Sequence, residues 1–396
     1  MTNFTATRAR FDLPDGLVYL DGNSLGPLPK AVPTRVAQML TGEWGAQLIG
    51  GWNACGWMDA PRRVGDRVGR LIGAPPGMVV MGDTLSIKVY QALAAALAMV
   101  PDRRVVLSDS GNFPSDLYMA QGLLATLGGD YRLRIVAPDA VADAIDESIA
   151  AVMLTEVDYR TGRLHDIAGL TARAHAAGAL MICDLAHSAG ALPVDVVASN
   201  VDFAVGCTYK YLNGGPGAPA FIYVAPRHAD AALPALSGWM GHAQPFAFEP
   251  DYRPGSAIER MRVGTPPILA LAALDAALDV WDGVDLHDVR RRSIALSNAF
   301  ISGVEAACPE LELASPRDPH QRGSQVSFRH QHAGAVMHAL IARGVVGDVR
   351  APDILRFGFT PLYLSDADIA QAVATITDVI RNKRWDECYV ASGRVT

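Results

Sequence analysis

Lysine is scarce in this 396-residue chain: among 34 lysines and arginines, only Lys30, Lys88, Lys210 and Lys383 are lysines. Positive charge as a whole is short, since 41 acidic residues leave a net charge of -7. Without a basic stripe to meet phosphates, no nucleic-acid partner is expected. Cysteine is sparse and odd in number; Cys55, Cys183, Cys207, Cys308 and Cys388 include no C-x-x-C pair. They read as buried thiols in a reducing compartment, not as a disulfide framework. Long apolar runs are missing, because stretches such as "VYQALAAALAMV" are too short and interrupted to span a bilayer. The start, "MTNFTATRARFDLPDG", has no signal-peptide core, so a cytoplasmic location without membrane is expected. No lysine precedes Ser or Thr and no histidine precedes Glu, which removes Walker A and HExxH chemistry. His330, His332 and His338 lack a Cys or carboxylate at ligand spacing and are expected to be solvated, with no metal site.

What is present is a well-packed α/β pattern, with half the residues hydrophobic. Apolar runs at 102–109, 131–139, 149–156, 178–184, 201–208 and 218–224 read as buried strands. Helix-length segments separate several of them, including "HDIAGLTARAHAAG" at 165–178, which ends on a glycine suited to a C-cap. Such alternation predicts a mostly parallel sheet covered on both faces. "PPILALAALDAALDVW" begins a strong helix near residue 266, and mixed strand and helix follow beyond about 286. The expected division is an N-terminal segment 1–50 packing with the small domain, a large domain 51–285, and a smaller α+β domain 286–396.

"GNSLG" at 22–26 matches the G-x-S-x-G nucleophile elbow. That elbow needs a sheet already built from earlier strands, whereas here only about twenty residues come first and Pro27 and Pro29 follow. A polar entry loop is the preferred reading of Ser24.

The stronger constellation joins two strand ends. "GALMICD" carries an apolar strand to Asp184, with His187 close behind, and "VDFAVGCTYK" carries another to Lys210. Ligands of parallel sheets gather at the carboxyl ends of the strands, so both side chains can reach one crevice. An amine and an acid there suit pyridoxal phosphate: lysine forms the Schiff base, and the carboxylate pairs with the protonated pyridine nitrogen. Taken singly, Asp184 could be a helix cap and Lys210 an exposed loop residue. The other three lysines sit in polar or helical contexts compatible with solvent.

Six blocks in order, "LDGNSLGPLP", "NFPSD", "VDYRTGRLHDI", "CDLAHSAGALPVDV", "VDFAVGCTYKYLNGGPGAPAF" and "DILRFGFTPLY", resemble kynureninases of the bacterial type. The resemblance spans about residues 19 to 363 and implies the aspartate-aminotransferase-like fold (fold type I) of pyridoxal-phosphate enzymes. It implies that Lys210 is the Schiff-base lysine and that Asp184 and His187 hold the pyridine nitrogen and its surroundings. Phe113 and Asp116 look like the ring-stacking aromatic and a cofactor-contacting carboxylate. Leu85 and Ser86 would meet the phosphate, and Thr155 would sit near the ring. Tyr209, Trp239 and Thr265 resemble residues completing the phosphate cup, the last two from a second subunit, so a homodimer with composite sites is implied. Arg356 would clamp the substrate α-carboxylate in a bidentate pair, and Ser24 and Trp52 would border its aromatic ring.

The implied reaction is hydrolysis of L-kynurenine to anthranilate and L-alanine, with Lys210 as general base and Tyr209 as a proton relay. Thr265 and "DTLS" depart from the common family pattern and leave 3-hydroxykynurenine open as a substrate. A class V aminotransferase or cysteine desulfurase would share Lys210 and Asp184, but a desulfurase needs a mobile catalytic cysteine. A non-catalytic cofactor-binding module is a more distant alternative.

Overall fold

A computed structural model describes residues 1–386. Thirteen strands form three sheets among the described residues. In chain order they are β1 (Val18–Tyr19), β2 (Val79–Met81), β3 (Val105–Asp109), β4 (Arg132–Val136), β5 (Ile149–Thr155), β6 (Leu180–Asp184), β7 (Phe203–Gly206) and β8 (Phe221–Val224), followed by β9 (Glu312–Leu313), β10 (Gln325–Arg329), β11 (Val345–Val346), β12 (Asp348–Arg350) and β13 (Ile354–Gly358). The seven-stranded sheet has the order β2-β8-β7-β6-β5-β3-β4. Only β8 runs against its neighbours.

The six apolar runs read from the sequence are all strands of this sheet. Five of them are legible because a strand buried on both faces carries apolar residues without interruption; β4, expected to be buried too, closes the edge of the sheet, carries Arg132 and Arg134, and leaves Ile135 exposed. Alternate residues serve opposite faces. Val80, Val106, Ile182 and Val205 join the core under the helices Leu85–Met99 and Pro114–Leu127; Val79, Val105, Met181 and Ala204 join the other. The three-residue β2, inside "GMVVMGD", went unread because so short a run carries no period.

A second, antiparallel sheet orders β12-β13-β10-β9 and packs beside the helices Leu286–Ala307, Ala333–Ile341 and Asp366–Arg381. The N-terminal stretch is tied to both halves of the chain, and the Gly358 amide of β13 donates to the Leu20 carbonyl. β1 pairs in parallel with β11, Thr7 donates to the Leu362 carbonyl, and the Gly26 amide donates to the Tyr209 carbonyl. A Cβ at Gly26 would collide with the Lys210 carbonyl and the Asn213 side-chain oxygen, so only glycine lets this loop lie against the lysine turn.

Two further expectations need correction. Lys88 does not face water: it is fully buried, its amine donating to Asp83, Gln91 and the Met261 carbonyl. Cys183, Cys207 and Cys308 are buried, but Cys55 is only half-buried, being at the end of the short helix Gly51–Ala54; Cys388 lies outside the described residues. No described helix is long and apolar enough to cross a membrane.

Candidate functional site

The parallel strands deliver their last residues to one edge of the large sheet. β5 ends at Thr155 and β6 at Asp184, paired in register, and β7 leads four residues later to Lys210. The Lys210 amine donates to His187 Nε2 at 2.9 Å. It lies 5.8 Å from the centre of the Phe113 ring and 5.6 Å from that of Tyr209. His187 can accept that bond because burial, reinforced by the Lys210 charge, pushes its pKa well below the usual value and keeps the ring neutral.

Two buried carboxylates share this space. Asp184 accepts from the Ala186 amide at 2.9 Å, and burial raises its pKa to about 6 although Lys210 pulls the other way. Asp116, 1% exposed, is pushed well above the ordinary range by burial and by Asp184. Its Oδ2 has no hydrogen-bond partner among the described residues. A buried orphan acceptor is costly, so this half of the site is built for a group that brings donors or positive charge. The Thr155 hydroxyl lowers the Asp184 pKa and lies 3.4 Å from the Val157 carbonyl.

Two helices begin at this edge. Leu85–Met99 follows β2, Pro114–Leu127 follows β3, and neither has a side-chain cap. Their starts meet where Ser86 Oγ lies 2.9 Å from Ser115 Oγ. Free N–H groups, hydroxyls and two helix N-termini make a natural seat for a phosphate. Phe113 caps the second helix and stands edge-on to Tyr159 at 5.2 Å. The donors and acceptors therefore match pyridoxal phosphate at both ends: carboxylates and a lysine for the ring, helix starts and hydroxyls for the phosphate.

The small sheet supplies the opposite wall. Asp348 on β12 faces Arg356 on β13, and both are about 1% exposed. Arg356 Nε donates to Asp348 Oδ1 at 2.6 Å and Nη2 to Oδ2, so the bidentate face of this arginine is taken by Asp348. Its Nη1 donates to the Tyr159 carbonyl and its Nη2 also to Ser24 Oγ at 3.0 Å. Ser24 donates in turn to Asp348. Its hydroxyl partners are thus a carboxylate and an arginine with no histidine among them, which removes the nucleophile-elbow reading. Asp21 sits behind this group, its pKa raised to about 7 by burial and by Asp348.

Tyr209 is half-buried, and burial raises its hydroxyl pKa so that it stays protonated. Trp239, Thr265 and Trp52 lie apart from these contacts. Trp239 is 42% exposed and edge-on to Phe246, and Thr265 is exposed. Their segments pack back to back, with Met240 donating to the Val263 carbonyl. Trp52 packs edge-on against Trp57 in a small cluster with Met39 and Ala272. Sequence reasoning missed Ser115, Tyr159 and Asp348. Ser115 stood inside the quoted "NFPSD", whereas Asp348 acquires meaning only from the β12–β13 register.

Solved structures give the fold. One is "Apo structure of Cysteine Desulfurase from Thermococcus onnurineus NA1", with a TM-score of 0.81 at 19% identity, covering 96% of this chain and 99% of that one. A second, a mutant of C-DES with glycine covalently linked to its pyridoxal-phosphate cofactor, also has a TM-score of 0.81, at 18% identity, covering 94% and 99%. The fold is therefore fold type I. The family model for the kynureninase C-terminal domain matches residues 289–376. A curated protein named kynureninase from Burkholderia pseudomallei (strain 1106a) is 51% identical over 385 residues, 96% of this chain and 92% of that protein. Another from Deinococcus radiodurans is 52% identical over 380 residues, 94% of this chain and 92% of that protein. Identity of that extent, along nearly the whole length, means that the chain belongs to the kynureninase family.

Proposed function

We propose that the protein is a pyridoxal-phosphate-dependent hydrolase that converts L-kynurenine and water to anthranilate and L-alanine. The observation carrying this reading is the Lys210 and Asp184 pair at the ends of neighbouring parallel strands, in a chain about half identical to curated kynureninases. When bound, the cofactor supplies an electron sink for the substrate α-carbon.

This chain's own residues do the rest. Lys210 would anchor the cofactor and, as a free amine beside the bound substrate, would take the substrate α-proton and return it. Asp184 would hold the pyridine nitrogen, His187, Thr155 and Asp116 would line the ring's surroundings, and Phe113 would pack against the ring. The Leu85 amide and the Ser86 and Tyr209 hydroxyls would hold its phosphate. Water adds to the side-chain ketone of the substrate, the Cβ–Cγ bond breaks, and Tyr209 relays protons in these later steps. Its place supports that role, with the ring centre 5.6 Å from the Lys210 amine. Arg356 binds the α-carboxylate, with Ser24 and Trp52 bordering the substrate ring.

Trp239 and Thr265 complete the phosphate cup of a second subunit in a homodimer. Their exposure supports this, as do Trp44, Leu48 and Ile49, bulky apolar side chains left open to solvent. The division into segment 1–50, large domain 51–285 and small domain 286–396 is supported by the two larger sheets drawing their strands from separate stretches of the chain. A cytoplasmic location accords with free, mostly buried thiols. A desulfurase reading is disfavoured by Cys183 and Cys207, both buried and held by strand ends.

The test is a side-by-side assay of cofactor-loaded protein with L-kynurenine and 3-hydroxykynurenine, following anthranilate fluorescence for the first. Turnover of L-kynurenine is expected. Loaded protein that yields no aromatic amine from either compound sinks the reading.

A further inference from the structure

Lys88 is a buried charged group that the proposed reaction does not use. Its side chain is 1% exposed, and it is the fourth residue of the helix Leu85–Met99. A cation there sits near the helix end whose dipole disfavours it, and burial adds the cost of lost hydration. Three acceptors meet the amine: Asp83 Oδ2 at 3.2 Å, Gln91 Oε1 at 2.9 Å and the Met261 carbonyl at 3.2 Å. Of these, only Asp83 carries a charge.

Asp83 is where that bond has leverage. Its backbone is left-handed, with φ at 55°, a conformation that costs energy in any residue with a Cβ. Backbone pairing pins the same turn, since the Gly82 amide donates to the Ala220 carbonyl at 2.9 Å and the Ala220 amide to the Asp83 carbonyl at 3.1 Å. The chain then straightens at Thr84, with φ at -100° and ψ at 164°, and enters the helix at Leu85. This succession of conformations presents the first helical amides without a side-chain cap, beside Ser86 Oγ and its 2.9 Å contact with Ser115 Oγ. An anion seated there complements the helix end that Lys88 burdens. The costly lysine and the phosphate seat therefore meet in one short turn.

We propose that Lys88 is a positioning residue for the cofactor phosphate: through Asp83 it fixes the turn that aims the first amides of the helix Leu85–Met99 at that group. The proposal rests on the pyridoxal-phosphate reading of the site, because it concerns the seat of that cofactor.

The test measures dissociation constants of apoprotein for pyridoxal phosphate and for pyridoxal, which has the same aldehyde and no phosphate. Absorption of the bound form reports each, and the ratio of the two constants isolates the phosphate. Wild type is compared with Lys88→Met, Asp83→Asn and Gln91→Leu. In Lys88→Met the preference for the phosphorylated form should shrink about tenfold to a hundredfold, the range in which outer supports of a bound group act, with the constant for pyridoxal within about threefold of wild type. Asp83→Asn keeps a residue that tolerates left-handed backbone and removes the charge, so it should lose part of the same preference. Gln91→Leu removes a different partner of the amine and should lower Tm without moving the ratio.

A wild-type ratio in Lys88→Met overturns the proposal. So does an equal loss in Gln91→Leu, which would mark a general effect of packing. If Lys88→Met does not fold, Asp83→Asn decides, since a wild-type ratio there contradicts the assignment. Wild-type apoprotein that binds neither compound would sink the cofactor reading itself, and the proposal with it, before any variant is measured.

Discussion

Two of the four lysines leave the surface, and they live in opposite surroundings. Lys88 is wholly buried on the helix Leu85–Met99, and three acceptors consume its three N–H groups: Asp83 at 3.2 Å, Gln91 at 2.9 Å and the Met261 carbonyl at 3.2 Å. Lys210 has one hydrogen-bond partner among the described residues, a neutral histidine, beside an aromatic face and two carboxylates that burial has driven toward their protonated forms. Burial lowers the pKa of Lys88, while Asp83 opposes the shift. An amine whose donors are all satisfied is a strut; an amine with an incomplete shell is free to form a bond. Reactivity here follows from what the neighbours withhold, not from depth.

The comparison breaks most visibly at Lys210. Lys210→Ala should cut anthranilate formation by roughly a thousandfold or more, the scale expected when a nucleophile that is also the general base is removed. It should also abolish the visible absorption band of the bound cofactor. Asp184→Asn should cost about a hundredfold in kcat, since a neutral amide no longer stabilises a protonated ring nitrogen. Lys88→Met should behave the other way. Loss of its hydrogen bonds should lower stability by about 1–3 kcal/mol, read as a fall in Tm, with kcat of the folded, loaded enzyme altered less than about threefold.

A pH prediction sharpens the same contrast. The Asp184 pKa rises from 3.8 to about 6 on folding and that of Asp21 to about 7, so these two sites hold more protons in the native apoprotein than in the unfolded chain. His187, kept neutral, acts in the opposite sense. The stability these acids contribute is full below their unfolded pKa and is lost as pH rises through about 6 and 7. Tm of apoprotein should therefore fall between about pH 5 and 7.5, with a shallower slope in Asp184→Asn. Cofactor binding should offset most of the loss, because it brings a partner for the ionised Asp184. The smallest effect expected is that of Ser24→Ala, which gives up one hydrogen bond to Asp348 and one from Arg356. KM should rise no more than about fivefold, and wild-type protein should take no fluorophosphonate label.

Much of this is legible in the sequence. Continuous apolar runs disclose the large sheet, and the residues ending those runs, Asp184 and Lys210, disclose the chemistry. The burial of Lys88 was not read, although "LSIKVYQALAAALAM" is apolar almost all round and leaves its one lysine little surface to reach. The pairing of Asp348 with Arg356 was hidden for a different reason. It depends on which residue of β12 faces which residue of β13, a register set by packing and the intervening turn rather than by composition. Ordered family blocks supplied Arg356 by position but not the neighbour that occupies it. Trp239 and Thr265 are solvent-facing in one chain, and their proposed meaning requires a second.

The central claim is that the amine with the open shell carries the cofactor. Borohydride reduction of loaded protein, proteolysis and mass spectrometry test it directly. The expected result is one phosphopyridoxyl group on the peptide containing Lys210, with the Lys88 peptide unmodified. A label on Lys88, or none on any lysine of protein that hydrolyses L-kynurenine, would contradict the account.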